Sequence, residues 1–209
     1  MTVANQGTRD RLLAAAQDEL IEGLGHLEMQ AVARRASASV GLAYHHFGSK
    51  AGLIAAVVEA FYERLDQAAF SGAKLPAADW AGREKARIGA YVAFHYEHPF
   101  APLVIGPLSR APEVLDVETA FTARQLAAGA RMLAAAQRDG IIPGDLDPYL
   151  TIALMIGGIR QALIGALTAD RRPDPARLTD DIWAFMAAAL RLPAKPSPVK
   201  PKATRRSRS

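Results

Sequence analysis

Apolar residues recur at helical spacing almost from end to end of this chain, and no stretch alternates apolar and polar residues as a strand would. That period excludes sheet folds and predicts an all-α protein of about nine helices. Its starts and stops are marked by capping residues. Thr8 is placed to cap a first helix, in which Leu12, Leu13, Ala16, Leu20 and Leu24 follow at helical spacing and which Gly23 and Gly25 end. A short second helix over about 29–36 turns Met29, Val32 and Ala33 inward. A third runs from near Ser39 to near Phe47. Gly48-Ser49 then breaks the chain, and Ser49 can cap a long fourth helix with the core face Leu53, Ile54, Val57, Val58, Phe61 and Leu65. A linker over 71–78 precedes a helix over about 79–97, one short helix within 100–112, and a long helix over about 114–139. Asp147-Pro148 and Asp174-Pro175 each place an N-cap before a proline at the first helical position, and open the last two helices.

Composition narrows the function classes. Half of the 209 residues are hydrophobic, enough for a substantial core, and there is no cysteine. A disulfide scaffold, a thiolate zinc site and a cysteine nucleophile are therefore excluded. The formal charge is +4, but residues 193–209 carry Lys195, Lys200, Lys202, Arg205, Arg206 and Arg208 with no acid. Without that Pro/Lys/Arg/Ser-rich segment, expected to be a disordered basic tail, the balance is −2. Bulk charge thus does not locate a binding surface. Residues 1–7 lack the apolar run of a secretory signal. The apolar stretch from Pro148 to Ala169 carries Arg160 near its centre, at a cost of roughly 2.5–3.5 kcal/mol in a membrane. A buried helix of a cytoplasmic protein with no membrane partner is the expectation.

The second and third helices are short, and Ser37-Ala38 leads into Ser39 within a three-residue turn, the spacing of a helix-turn-helix. The string from Val32 to Lys50, above all Tyr44-His45-His46-Phe47-Gly48-Ser49-Lys50 followed by Leu53, resembles the signature of the TetR family of transcriptional regulators. The motif covers residues 28–47, within a DNA-binding unit taken as 1–49. A helical ligand-binding and dimerisation unit over 50–192 follows, and the tail over 193–209 ends the chain. The resemblance implies a dimeric repressor that a small-molecule effector releases from a palindromic double-stranded DNA operator. Gly41 would let the backbone approach DNA, while Ser39, Val40 and Leu42 at the start of the third helix would meet base edges and thymine methyls. Tyr44 and His45 would reach phosphate, Lys50 would join the fourth-helix N-terminus at another, and Gln30 and Arg34 would touch the flanking backbone. Phe47 reads as a core wedge. Three departures stand out: Ser37 where the turn usually has glycine, Leu27-Glu28 in place of a Ser/Thr cap, and apolar Val40 and Leu42 at positions often polar. Phosphate and methyl contacts would then carry more of the recognition.

In the second half, Gly158, Ala162 and Ala166 form a small-residue stripe on a helix that Ile152, Met155, Ile156, Ile159 and Leu163 make apolar nearly all round. With Ile182, Trp183, Phe185, Met186 and Leu190 of the last helix it could pair with its copy as a four-helix homodimer interface, or bury against the chain's own helices. Tyr91, Phe94, His95, Tyr96, His98 and Phe100 cluster near the end of the fifth helix, where Met132 and Tyr149 could face them. They describe either a small-molecule pocket or a packed core with wet edges. Without a fixed charge in that stripe, an uncharged or apolar effector is the expectation. No nucleotide loop, zinc-protease motif, nucleophile elbow or paired carboxylates appear, so neither an enzyme nor a bound cofactor is expected. Two other functions fit the same residues: a helical carrier or enzyme whose N-terminal module only packs, and an architectural protein that binds DNA through its basic tail.

Overall fold

A computed structural model describes residues 3–71, 73, 75 and 79–193. Among these there are nine α-helices, one 3₁₀ turn and no strand. The helices are α1 (Val3–Glu22), α2 (Met29–Arg35), α3 (Val40–Phe47), α4 (Lys50–Ala69), α5 (Trp80–Glu97), α6 (Ala101–Ile105), α7 (Pro112–Arg138), α8 (Pro148–Thr168) and α9 (Pro175–Ala189). The basic tail lies outside the described residues from 194 onward, as does most of the 71–78 linker.

Most helix starts follow the capping side chains. Ser39 accepts from the Leu42 amide, Ser49 from Gly52, Asp79 from Gly82, Asp147 from Leu150 and Asp174 from Arg177. Thr8 does not cap. The α1 helix already begins at Val3, and the Thr8 hydroxyl accepts from Arg11 at 3.2 Å. No proline interrupts residues 3–7, so the helix extends past the residue suited to cap it. The segment 100–112 holds two pieces, α6 and a 3₁₀ turn over Pro107–Arg110. Gly106 separates them, and a Cβ there would stand 2.6 Å from the Pro102 carbonyl oxygen.

Leu12, Leu20, Val32, Ala43, Leu53, Val58, Phe61 and Leu65 are fully buried in one core that continues through Phe100 and Val104 to Val114 and Phe121. Burying side chains of this size contributes roughly 1.5–3 kcal/mol each. This shared core crosses the 49/50 position, because α4 packs on α1 and α3 at one end and on α5 and α7 at the other. A second core joins α5, the end of α7, α8 and α9 around Val92, Leu133, Met186 and Leu190.

The α8 helix is less covered than its composition suggests. It is the one helix among the described residues long and apolar enough to cross a membrane by those criteria. Ile152, Met155 and Leu163 are buried, but Leu150, Leu154, Gly157, Gly158, Gln161 and Gly165 are exposed. The stripe of Gly158, Ala162 and Ala166 is not one open face, since Ala166 is buried and Ala162 half-buried.

Candidate nucleic-acid interface and internal cavity

The α2–α3 unit is held by α1 and α4. Leu27, Met29, Val32, Ala33 and Ala36 are buried, which leaves Gln30 and Arg34 on the open side of α2. The turn to α3 is tight enough that Ser37 takes φ +51°, the left-handed conformation that glycine adopts without strain. Arg11 Nε donates to the Ala36 carbonyl at 3.3 Å and ties this turn to α1. Glu28 stands at the start of α2 with no side-chain cap, as its replacement of a Ser/Thr suggests.

On α3, Ser39, Gly41, Tyr44 and His45 are exposed. Val40 and Leu42 are half-buried rather than open, and Val40 packs against the core. The nearest protein atom to a Cβ at Gly41 would be Ser39 Oγ at 4.0 Å, so packing within the chain does not demand glycine there. Phe47 is half-buried against the core with the Arg9 guanidinium 5.5 Å from its ring centroid. The joint from α3 to α4 is close: a Cβ at Gly52 would collide with the Phe47 carbonyl oxygen.

Residues 1–50 contain Arg9, Arg11, Arg34, Arg35 and Lys50 as their cations. Arg35 is taken up by α1, with Nη1 2.8 Å from Glu22 Oε1 and with Asp18 and Glu19 within 3.8 Å and 3.6 Å. That hydrogen bond holds the Glu22 carboxyl below its ordinary range and the Arg35 guanidinium above its own. Arg11 and Arg9 have the contacts already given. Arg34 and Lys50 are exposed and carry no ion pair among the described residues.

Behind this unit lies a cavity of about 1090 Å³, walled by α4, α5, α7, α8 and α9. Tyr91 and Met132 are in its walls. Phe94, His95 and His98 are not. With Phe100 they surround the Phe61 ring, at centroid distances of 5.0–6.0 Å. His95 is 1% exposed, and its Nδ1–H donates to the Tyr91 carbonyl at 2.8 Å, leaving Nε2 buried without a partner. Burial, above all, pushes its pKa down to about 4, and pushes the Tyr91 hydroxyl up to about 12. Tyr149 is exposed, beside a smaller depression on α7.

The residues read as a dimer face divide. Ile152, Met155, Ile156, Ile159 and Trp183 line the cavity, Leu163, Ile182 and Met186 are buried, and Phe185 is 67% exposed. The cavity also takes Glu84, Arg87, Arg124 and Arg131, which lie outside the aromatic stripe and which a reading of that stripe missed. For Glu84 and Arg87 the signal was the helical register of α5, where Trp80, Glu84, Arg87 and Tyr91 share a face, but charged residues on such a helix read as solvent-facing.

One polar connection reaches from the cavity wall to α8. The Tyr62 hydroxyl on α4 donates to Glu118 of α7, and Arg160 of α8 lies 2.6 Å from the other Glu118 oxygen. Burial and the Glu118 charge raise the Tyr62 pKa. Among the described residues no group of three or more His, Asp or Glu could hold a metal.

Residues 12–57 match the family described as bacterial regulatory proteins, tetR family. The matched residues run from Leu12 in α1 through α2 and α3 into the first two turns of α4, the helix-turn-helix unit described above. The whole fold is also that of TetR regulators. The fatty acid degradation regulator FadR from Bacillus halodurans superposes with a TM-score of 0.73 at 16% identity, over 88% of this chain and 97% of that one. NalD, the secondary repressor of the MexAB-OprM multidrug efflux pump in Pseudomonas aeruginosa, gives 0.70 at 18% identity, over 90% and 97%. A Rhodococcus sp. protein assigned to the TetR-family transcriptional regulators gives 0.69 at 21% identity, over 88% and 99%. No curated protein matches the sequence.

Proposed function

We propose that this TetR-type chain is a sequence-specific DNA-binding regulator, a homodimeric repressor released from a palindromic operator by a small-molecule effector. The observation that carries this reading is the distribution of cations around α3. Arg35 is spent on α1, whereas Arg34 and Lys50 are exposed, without an ion pair among the described residues, on either side of an open Gly41, Tyr44 and His45 face. Gln30 and Arg34 then lie against one phosphate run, and Tyr44, His45 and Lys50 against another. Ser39 and Gly41, with the exposed parts of Val40 and Leu42, meet the bases.

The exposed apolar stripe of α8, with Phe185 of α9, supports pairing of two copies through these helices. A second copy would cover Leu150, Leu154 and Phe185, and the glycines at 157, 158 and 165 would allow close approach. The effector site is the cavity. The α4 helix carries Lys50 at one end and Tyr62, Asp66 and Phe70 in the cavity wall, about 30 Å of rigid helix in all. A ligand that fits the cavity better when α4 is displaced favours a state in which the two reading heads no longer match successive major grooves.

Selection of bound DNA from a random pool tests this reading. A palindromic site should emerge, and Lys50→Ala and Tyr44→Ala should weaken binding to every sequence. The salt slope should fall by about 0.9 for each phosphate that a variant no longer neutralises. Substitutions at Val40 or Leu42 should instead change base preference. Recovery of no preferred site, or loss of specific binding on deleting 193–209 alone, would sink it.

A further inference from the structure

The charged residues of the cavity balance. Glu63, Asp66 and Glu84 stand against Arg87, Arg124 and Arg131. Glu63, Arg124 and Arg131 are exposed, and Asp66 is engaged by Gln125 and Ser71. Water screens that set. Glu84 differs, being 8% exposed and one helical turn from Arg87. Arg87 Nη2 donates to its Oε1 at 3.4 Å. Arg87 Nε lies 3.2 Å from Oε2, close enough for an ion pair but buried and misaligned for a hydrogen bond. Burial raises the Glu84 carboxyl above its usual range, against the pull of Arg87 and Arg83.

The pair thus sets a carboxylate that accepts and a guanidinium N–H that lacks an acceptor side by side in a largely apolar wall. An anionic head that drew Arg87 away would leave Glu84 buried and uncompensated, and a cationic head would have to displace Arg87 from it. A neutral group with an adjacent carbonyl and N–H serves both. We propose that the cavity binds an uncharged amphiphile, an apolar body bearing one amide-like head whose carbonyl faces Arg87 and whose N–H faces Glu84. As an effector specificity this rests on the cavity being the regulatory site, but the binding itself is read without DNA.

Both tryptophans of the chain, Trp80 and Trp183, line this cavity, so intrinsic emission reports its occupancy. Full-length protein is titrated with decanamide, decanoate and decylamine, which share a chain and differ in the head. Decanamide should bind at least about tenfold more tightly than either charged probe. Arg87→Met should move the preference toward decylamine, and Glu84→Gln toward decanoate. Circular dichroism checks that both variants fold, and the wild-type ranking stands without them. A charged probe that binds as tightly as decanamide, or no emission change with decanamide, overturns the proposal. Either result leaves operator binding by the unliganded protein intact, whereas failure of the regulator reading appears in the DNA selection alone.

Discussion

Around Leu12, Leu20, Val32, Ala43 and Leu53 the first four helices close completely, while Met132, Ile156 and Trp183 in the second half face a volume of about 1090 Å³. Both regions use the same apolar residue types on amphipathic helices. They differ in what lies opposite. Two short helices, α2 and α3, joined by a tight turn fill the space between the longer α1 and α4, and the result is a unit with little room to deform. Helices α4, α5, α7, α8 and α9, from distant parts of the chain, wall a space that their own side chains do not fill.

The contrast breaks first under core truncation. Phe61→Ala should cost about 3–5 kcal/mol, because the ring is fully buried among other rings. Ile156→Ala should cost no more than about 1 kcal/mol, since the atoms removed already face open space. Urea unfolding of both variants measures the difference, and equal losses would show that the cavity closes in solution.

A smaller effect comes from pH. His95 is neutral when buried, with a pKa near 4 against 6.5 for the free side chain. Below 6.5 the unfolded chain takes up a proton that the folded one refuses. Stability should therefore fall as pH drops from about 6.5 to about 4, by up to roughly 3 kcal/mol. His98 is shifted the same way by burial, and Glu84 in the opposite sense. Melting curves of His95→Phe should flatten across that window. An unchanged pH profile would place the ring in water.

The smallest change sharpens the other side. Ser37→Gly removes a left-handed non-glycine residue from the turn and should stabilise the protein by about 1 kcal/mol, seen as a higher melting temperature with operator affinity retained. A loss of stability would mean that the Ser37 hydroxyl contributes more than the strain removes.

These regions were unequally legible in the sequence for the same physical reason. Ser39, Ser49, Asp79, Asp147 and Asp174 mark helix starts through bonds to amides three residues away, so local spacing reveals them. Ser37 stood out in the sequence as a departure from glycine at the turn, and it takes positive φ there. Thr8 misled, since a residue able to cap does not oblige the helix to start there. Nothing local says that Glu84 is buried, because the helices α5 packs against, chiefly α4 and α9, are separated from it along the chain. The aromatic stripe was visible, yet Phe94, His95 and His98 turned to Phe61 rather than to the cavity. Which face of α8 stays open was also hidden, because its apolar residues run nearly all round.

Position 52 has a consequence for how such a protein can change over generations. Any side chain there meets the last carbonyl of α3, so a substitution must move the joint between reading helix and α4. The exposed surface at Ser39, Tyr44 and His45 meets no such barrier. Exposed residues of α3 can therefore vary one by one, while the joint between α3 and α4 is handed down nearly unaltered.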